Sequence, residues 1–562
     1  MYAILVCFLF SLSIFTVYGS FFVKIIDNKK LKNYTFFDHY FIGLCVVGTL
    51  LNIWSLFFPT NYISFILLLL GVFLIISTNR VYYKPYFLEL KNKLINNKKT
   101  LLLLLLSLVI VLIFSIITPK LYDTYLYHLN SIIWNESYKT IPGLANLHDR
   151  FGFNSSVFVL SAAFSFNFIY EQYLFTINSL SYLVFLVWIL KLTITLNNTK
   201  SVFLLLFIYY FTNQYYLDIS SPGTDLLPNI FLSYLLINLF LFESVFTKRL
   251  LLYIALPLFC ITLKLSMLPI VLLSLIAIYL QSAKKTQATL LKFIPFGLFF
   301  VLPWVVRNVI ISGYLIYPMS SIDVFNFDWK VPAEDVNITK KWIYSWGRIP
   351  MKGYQEVLNL SFFEWIKIWW QNSLTINKVF YFLANLSLLF YAFLFLLGKL
   401  KPNKLIAVVV SLTILIIWFF TAPDIRFSFS IILFFALSPL LFLTKSLNLL
   451  FFKIKHLVLI FSITVLFFIG KKAFSLFKED YKTSNDISFL YLPNDIFYEK
   501  IKNKIEYTKK AFKTQNGNEI FLFEPKNINT QCFDKFPCSS YLDNNLRLRG
   551  DNLSDGFISN KK

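Results

Sequence analysis

Apolar residues run along this chain in long blocks separated by short polar breaks. Leu101–Thr118 and Lys404–Ala422 each carry a membrane-length stretch without an internal charge. Reading such blocks in order predicts about 14 spans, at roughly 2–23, 36–58, 62–79, 101–118, 173–195, 201–217, 226–246, 250–264, 266–282, 290–311, 378–398, 404–421, 427–444 and 456–470. The moderately apolar stretch Ser155–Tyr170 is read as not crossing. The chain then divides into spans over 1–118, a first long loop at 119–172, spans over 173–311, a second long loop at 312–377, spans over 378–470 and a C-terminal domain at 471–562. The fold class expected is an all-α polytopic membrane protein with a small α/β C-terminal domain.

Composition agrees with the pattern. Of 562 residues, 57% are hydrophobic, 19% aromatic and only 14% charged, against roughly 25% charged in soluble domains. Soluble, disordered and small secreted classes are excluded. The net charge of +23 would suit nucleic acid, anionic lipid or inner loops, and nucleic acid is a poor partner at this hydrophobicity. The first apolar block has no basic residues before it, and Lys24, Lys29, Lys30 and Lys32 follow it. It is therefore a span with its N-terminus outside, not a signal peptide. Alternating from there, seven short loops fall inside and hold 23 of the 52 Lys and Arg. That parity holds only if 155–170 does not cross. The expected location is a bacterial inner membrane, with the N-terminus and the C-terminal domain extracytoplasmic and the bilayer as a partner.

After Gly470 the chain carries 16 Lys/Arg against 12 Asp/Glu, and translocated domains escape the charge rule. Phe497, Ile501, Ile505 and Phe512 suggest an amphipathic helix there, and Glu519–Phe523 a strand. Cys532 and Cys538 suit a disulfide in an oxidising compartment. Free thiols are the alternative, and a metal pair is weaker because no His lies nearby.

The densest candidate chemistry follows the fourth span, in Lys120-Leu-Tyr-Asp-Thr-Tyr-Leu-Tyr-His. Tyr122, Leu126, Leu129 and Ile133 make an apolar stripe at helical spacing; Thr124, His128, Ser131 and Asn135 make a polar one. An amphipathic helix at the membrane surface is expected. Asp123 is either its N-cap or a carboxylate able to accept a proton or hold a divalent cation. His148, Asp149 and Arg150 then bring three polar functions together in an apolar loop. Lys264, Arg307 and Arg426 sit at the outer ends of spans, where charge is costly without a partner. They either snorkel, Asp424 pairing with Arg426, or converge on a lipid phosphate. Asp218 and Asp225 reach the same face.

A span, a loop opening on Tyr-Asp with an amphipathic helix, a multi-span body and a small outer domain together resemble the GT-C glycosyltransferases. Pro303-Trp-Val-Val-Arg-Asn and Ser312-Gly-Tyr-Leu-Ile-Tyr-Pro318 are similar to motifs of several GT-C members. The Tyr-Asp-Thr-x-Leu-Tyr-His and Pro-Gly-Leu-Ala-Asn-Leu-His segments and the Cys…Pro-Cys tail look like a group of bacterial polytopic membrane proteins that carries no established activity. The resemblance implies transfer of a sugar from a polyprenyl-phosphate donor to a surface glycan or lipid-linked acceptor. Asp123 matches the family's first-loop acid in position. Tyr122, His128, His148, Arg150, Lys264, Arg307, Asn308 and Arg426 are the candidate substrate-binding residues. Asp123 is followed by Thr rather than a second acid, so a divalent-cation cofactor stays open. The alternatives are a transporter or flippase of lipid-linked saccharides, or a non-catalytic assembly protein.

Overall fold

The structure, a computed structural model, describes residues 1–196, 199–281, 286–445, 455–481, 488–492, 505–513, 516, 519–526, 531–532 and 535–560. The chain is mostly helical. Among the described residues, eight helices are long and apolar enough to cross a membrane: Tyr2–Ile26, Phe36–Trp54, Lys98–Ser115, Thr176–Leu196, Thr375–Leu396, Pro402–Thr421, Ile425–Phe442 and Val458–Tyr481. Two bent pairs bring the number to ten if each is one span: Tyr62–Thr78 with Arg80–Glu89, bent by 99°, and Ile294–Phe300 with Leu302–Ser312, bent by 44°.

Four of the expected spans fold short: the block at 201–217 becomes Thr199–Tyr215, 17 residues, and three more are shorter than the sequence suggests. The blocks at 226–246, 250–264 and 266–282 become Leu226–Leu241, Leu252–Leu263 and Leu265–Leu280, each of 10–17 residues. Pro257 lies inside the second, and extended backbone at Lys264 separates it from the third. Every residue of Leu252–Leu263 is buried. The first two of these three blocks are apolar because protein surrounds them, whereas Leu268, Leu272, Tyr279 and Leu280 of the third are exposed; an apolar run reads the same whether it faces lipid or a core. The stretch 155–170 forms Ser156–Ala163, wholly buried and eight residues long, before the chain turns through Phe164 and Phe166.

Helices Tyr2–Ile26 and Phe36–Trp54 meet backbone to backbone at glycine. A Cβ on Gly19 would lie 1.8 Å from the His39 carbonyl oxygen, and one on Gly43 1.6 Å from that of Phe15.

In the tail, Tyr507–Lys513 pairs antiparallel with Glu519–Pro525, and Leu546–Leu548 with Phe557–Ser559. The expected strand Glu519–Phe523 lies within the second of these. Phe512, expected on a helix, is instead in a strand opposite Ile520, because cross-strand pairing decides its neighbours and not the i,i+4 spacing. Phe497 and Ile501 lie outside the described residues. Cys532 and Cys538 form a disulfide. The tail packs on the first loop through a shared apolar cluster in which Trp134 meets Phe536 and Phe557. Arg549 reaches the second loop at Asp328, 2.6 Å away.

Candidate active site

Two loops and three helix ends build the site. The segment after Leu121 opens with Tyr122 and Asp123 and passes into a single π-turn, Thr124–His128, before the α-helix Leu129–Ser137. A π-turn inserts one residue into the helical repeat, and such turns recur at functional sites. It also removes the amphipathic pattern. Leu126 and Leu129 are buried, and so are Thr124, His128 and Ser131 from the expected polar stripe. The segment is packed on both faces, with the tail covering it: the Cys532 N–H donates to the Tyr125 carbonyl at 2.9 Å, and the Gln531 side chain to that of Tyr122.

The loop 218–225 is held from below by Asn178, whose amide donates to the carbonyls of Asp218, Ser221 and Gly223. The hydroxyls of Thr124 and Ser221 join at 2.7 Å and tie this loop to the π-turn. Gly223 lets the backbone close over Asp218, since a Cβ there would lie 2.7 Å from the carboxylate. The Ser155 hydroxyl donates to the Leu263 carbonyl and finishes that helix just before Lys264. Asp424 accepts from the Arg426 backbone N–H at the start of the helix Ile425–Leu437.

These supports bring three cation–carboxylate pairs together. Arg150 donates to Asp123 at 2.9 Å. Lys264 binds Asp225 and stands 3.5 Å above the Phe427 ring. Arg426 forks onto Asp424, its closest contact 2.8 Å. Asp123 makes no capping hydrogen bond, so the N-cap alternative is not realised; its side chain turns to Arg150.

His128 lies among them, 3% exposed. Neither ring nitrogen has a hydrogen-bond partner among the described residues, an unusual state for a buried polar group. Burial holds its pKa down at about 4, with Asp123 and Asp225 pulling up and Arg150 and Lys264 pushing further down. The Asp218 carboxyl is pushed up to about 8, first by burial and then by the charge of Asp225, against the pull of Arg426 and Lys264. The site thus holds paired charges, an imidazole biased toward its neutral form and a carboxyl biased toward its protonated form.

The remaining candidates go elsewhere. Arg307, expected with Lys264 and Arg426, is buried in a cage of neutral oxygens: Ser55, Thr140 at 2.7 Å, and Asn135 and Asn154 each at 2.9 Å. Asn154, left-handed at φ 46°, also donates to Asn308, and Asn308 donates to the Leu315 carbonyl. Four of the five guanidinium N–H groups are spent on tying segments together, and a cavity of about 20 Å³ beside them holds at most one water-sized group. His148 lies at the contact with the tail, 2.6 Å from the Ser540 hydroxyl and 3.0 Å from Asp149. It clasps the tail to the loop, and Tyr541 extends the clasp by donating to Asp149. Tyr122 is half exposed.

Asp225, Asp424, Tyr127 and Phe427 join the site beyond the candidate set. The acids were visible as single charges at span ends. The two rings, under Arg150 and Lys264, are hidden among 65 Phe and 33 Tyr. Among the described residues no three His, Cys, Asp or Glu side chains are placed to hold a metal ion. Each carboxylate of the three pairs has a cation as its partner.

No curated protein and no solved structure matches the chain. Residues 1–433 match a family described as a domain of unknown function, DUF8201. The match covers well over half of the 562 residues, and the chain belongs to that family.

Proposed function

We propose that this protein is a GT-C-like glycosyltransferase of the bacterial inner membrane. It would transfer a sugar from a polyprenyl-phosphate donor to a glycan or lipid-linked acceptor on the outer face. One observation carries the reading: three cation–carboxylate pairs meet around a buried histidine whose ring nitrogens have no hydrogen-bond partner among the described residues. Arg150, Lys264 and Arg426 face one site, and an anionic ligand can draw on them as charged donors in place of their carboxylate partners.

In this reading the donor phosphate takes the cations Lys264, Arg426 and Arg150. Once Arg150 turns to the phosphate, Asp123 is released to accept the proton of the acceptor hydroxyl. The hydroxyl oxygen bonds to the anomeric carbon from the face opposite the leaving group, and the carbon–oxygen bond to the polyprenyl phosphate breaks. The two electrons pass to the phosphate, where the fixed cations stabilise them. His128 supplies the unpaired ring nitrogen that orients the bound sugar or phosphate, and Arg307 holds the scaffold. The finer topology, 14 crossings with the N-terminus and the tail outside, rests on the clustering of Lys and Arg in short loops, with the tail disulfide in keeping. It requires the short helices between 226 and 280 to cross a locally thinned or protein-lined region.

The test is transfer by purified, reconstituted protein from a panel of polyprenyl-phosphate sugars. Asp123→Asn should lose at least about 100-fold in rate, and Arg426→Ala about 100- to 1,000-fold. Wild-type rates from a folded Asp123→Asn protein, or no transfer from any donor by the wild type, would end the proposal.

A further inference from the structure

The second long loop ends in the helix Phe362–Asn372, capped at Ser361 by a reciprocal pair with Glu364. Three residues later the apolar helix Thr375–Leu396 begins. On the short helix, Phe363, Lys367 and Trp370 recur at i, i+4 and i+7, which is one face, and Leu374 follows in the extended link to the next helix. That face is open: Phe363 is 81% exposed and Trp370 43%, and Leu374 beyond it is 67% exposed. Trp365 and Trp369 lie on the other side and pack on Phe419. Glu364 and Gln371, seven residues apart, form a polar edge between the two.

Such a helix presents protein on one side, polar groups on the second and large apolar groups on the third. An open apolar face beside a membrane-length helix has one occupant that suits all three. We infer that Phe362–Asn372 lies in the headgroup layer of the bilayer that Thr375–Leu396 crosses, with Phe363, Trp370 and Leu374 in the acyl boundary and Lys367 reaching up to lipid phosphate. Continuity fixes the depth, because Leu374 is one residue from the first turn of the adjoining span. Charge complementarity supports it: Lys367 is exposed on the face that carries Phe363 and Trp370, where a long stem can stay among apolar groups while its ammonium reaches anionic headgroups.

The buried side of the same helix leads into the site. The Trp369 indole N–H donates to the Pro423 carbonyl at 2.9 Å, one residue before Asp424. The Trp418 indole donates to the Asp424 carbonyl at 2.7 Å. The bilayer surface therefore sets the height of the loop that presents Asp424 and Arg426. This inference concerns placement and holds whatever ligand the site takes.

Single cysteines at positions 361–374 test it. The native Cys7, Cys45 and Cys260 are buried and Cys532 and Cys538 are paired, so a nitroxide reagent labels the introduced site. In vesicles of phosphatidylcholine and phosphatidylglycerol, labels at Phe363→Cys, Trp370→Cys and Leu374→Cys should relax several-fold more with oxygen than with a water-soluble nickel chelate. Labels at Glu364→Cys, Gln371→Cys and the tail position Lys526→Cys should show the reverse. Nickel accessibility at 363, 370 and 374 equal to that at 526 would overturn the inference. Thirteen neighbouring positions give the periodicity even where one variant fails to fold.

Discussion

His128 has a measurable signature. Its pKa is held at about 4 in the folded protein and lies near 6.5 in an unfolded chain. Between those values the unfolded state binds the extra proton, so stability is complete above about pH 6.5 and falls as pH drops toward 4. The full effect is about 3 kcal/mol. Asp218 works in the opposite sense: its raised pKa adds stability at low pH and loses it as pH rises toward 8. The two separate by difference. Thermal unfolding in detergent should fall more steeply from pH 7 to pH 5 for the wild type than for His128→Asn, and parallel curves would refute the assignment. Arg307 is the contrasting residue. Arg307→Lys keeps the charge but replaces the planar fork by three donors on one nitrogen, so at least one of the four acceptors loses its bond, at a cost of about 1–3 kcal/mol, read as a lower melting temperature. Single charges at span ends were legible along the chain. Their partners were not, because Asp123 with Arg150 and Lys264 with Asp225 pair across loops 27 and 39 residues apart, and only the packing of Ser155, Asn178 and Ser221 closes those distances.

Apolar blocks give the helices of this fold well where they are long, and less well where Pro257 or the extended Lys264 interrupts them. The π-turn is a sharper case. A period of 3.6 sorts Thr124 and His128 from Leu126 and Leu129, but one inserted residue and a covering tail bury all four. No local pattern announces the partner that fills the other side. Glycine shows the same dependence on partners at helix scale. Gly19 and Gly43 allow two helices to approach at backbone distance, the way membrane helices pack without a hydrophobic drive. Gly43→Leu must push the helices apart, since even a Cβ meets the Phe15 carbonyl. The variant should unfold at a clearly lower temperature or fail to accumulate, whereas Gly353→Ala, at a position with nothing within 4 Å of the added Cβ, should leave the transition unchanged. Equal behaviour of the two would refute close packing at this crossing.

At the scale of the whole molecule, the tail is the piece whose sequence says least about its place. Its strands can be read as strands, yet nothing in them specifies the first loop as their surface. The structure closes that contact by two kinds of bond. Phe557, fully buried, donates its N–H to the Pro142 carbonyl at 3.0 Å and packs on Trp134; a row of polar groups, Ser540, His148, Asp149 and Tyr541, lies beside it. The apolar part should dominate, because burying a Phe is worth about 2–3 kcal/mol and a net hydrogen bond about 1. Phe557→Asp places a charge in that cluster and should free the tail to protease at far lower concentration than the wild type, while the thermal transition of the helices stays in place. Ser540→Ala should shift the protease concentration only a few-fold. The π-turn lies under the tail through Cys532 and Gln531, so release of the tail should also open His128 to solvent and raise its pKa toward 6.5, visible as a loss of the steep stability decline between pH 7 and 5. If Phe557→Asp leaves both the cleavage and the pH profile unchanged, the tail is a separate appendage and the site does not depend on it.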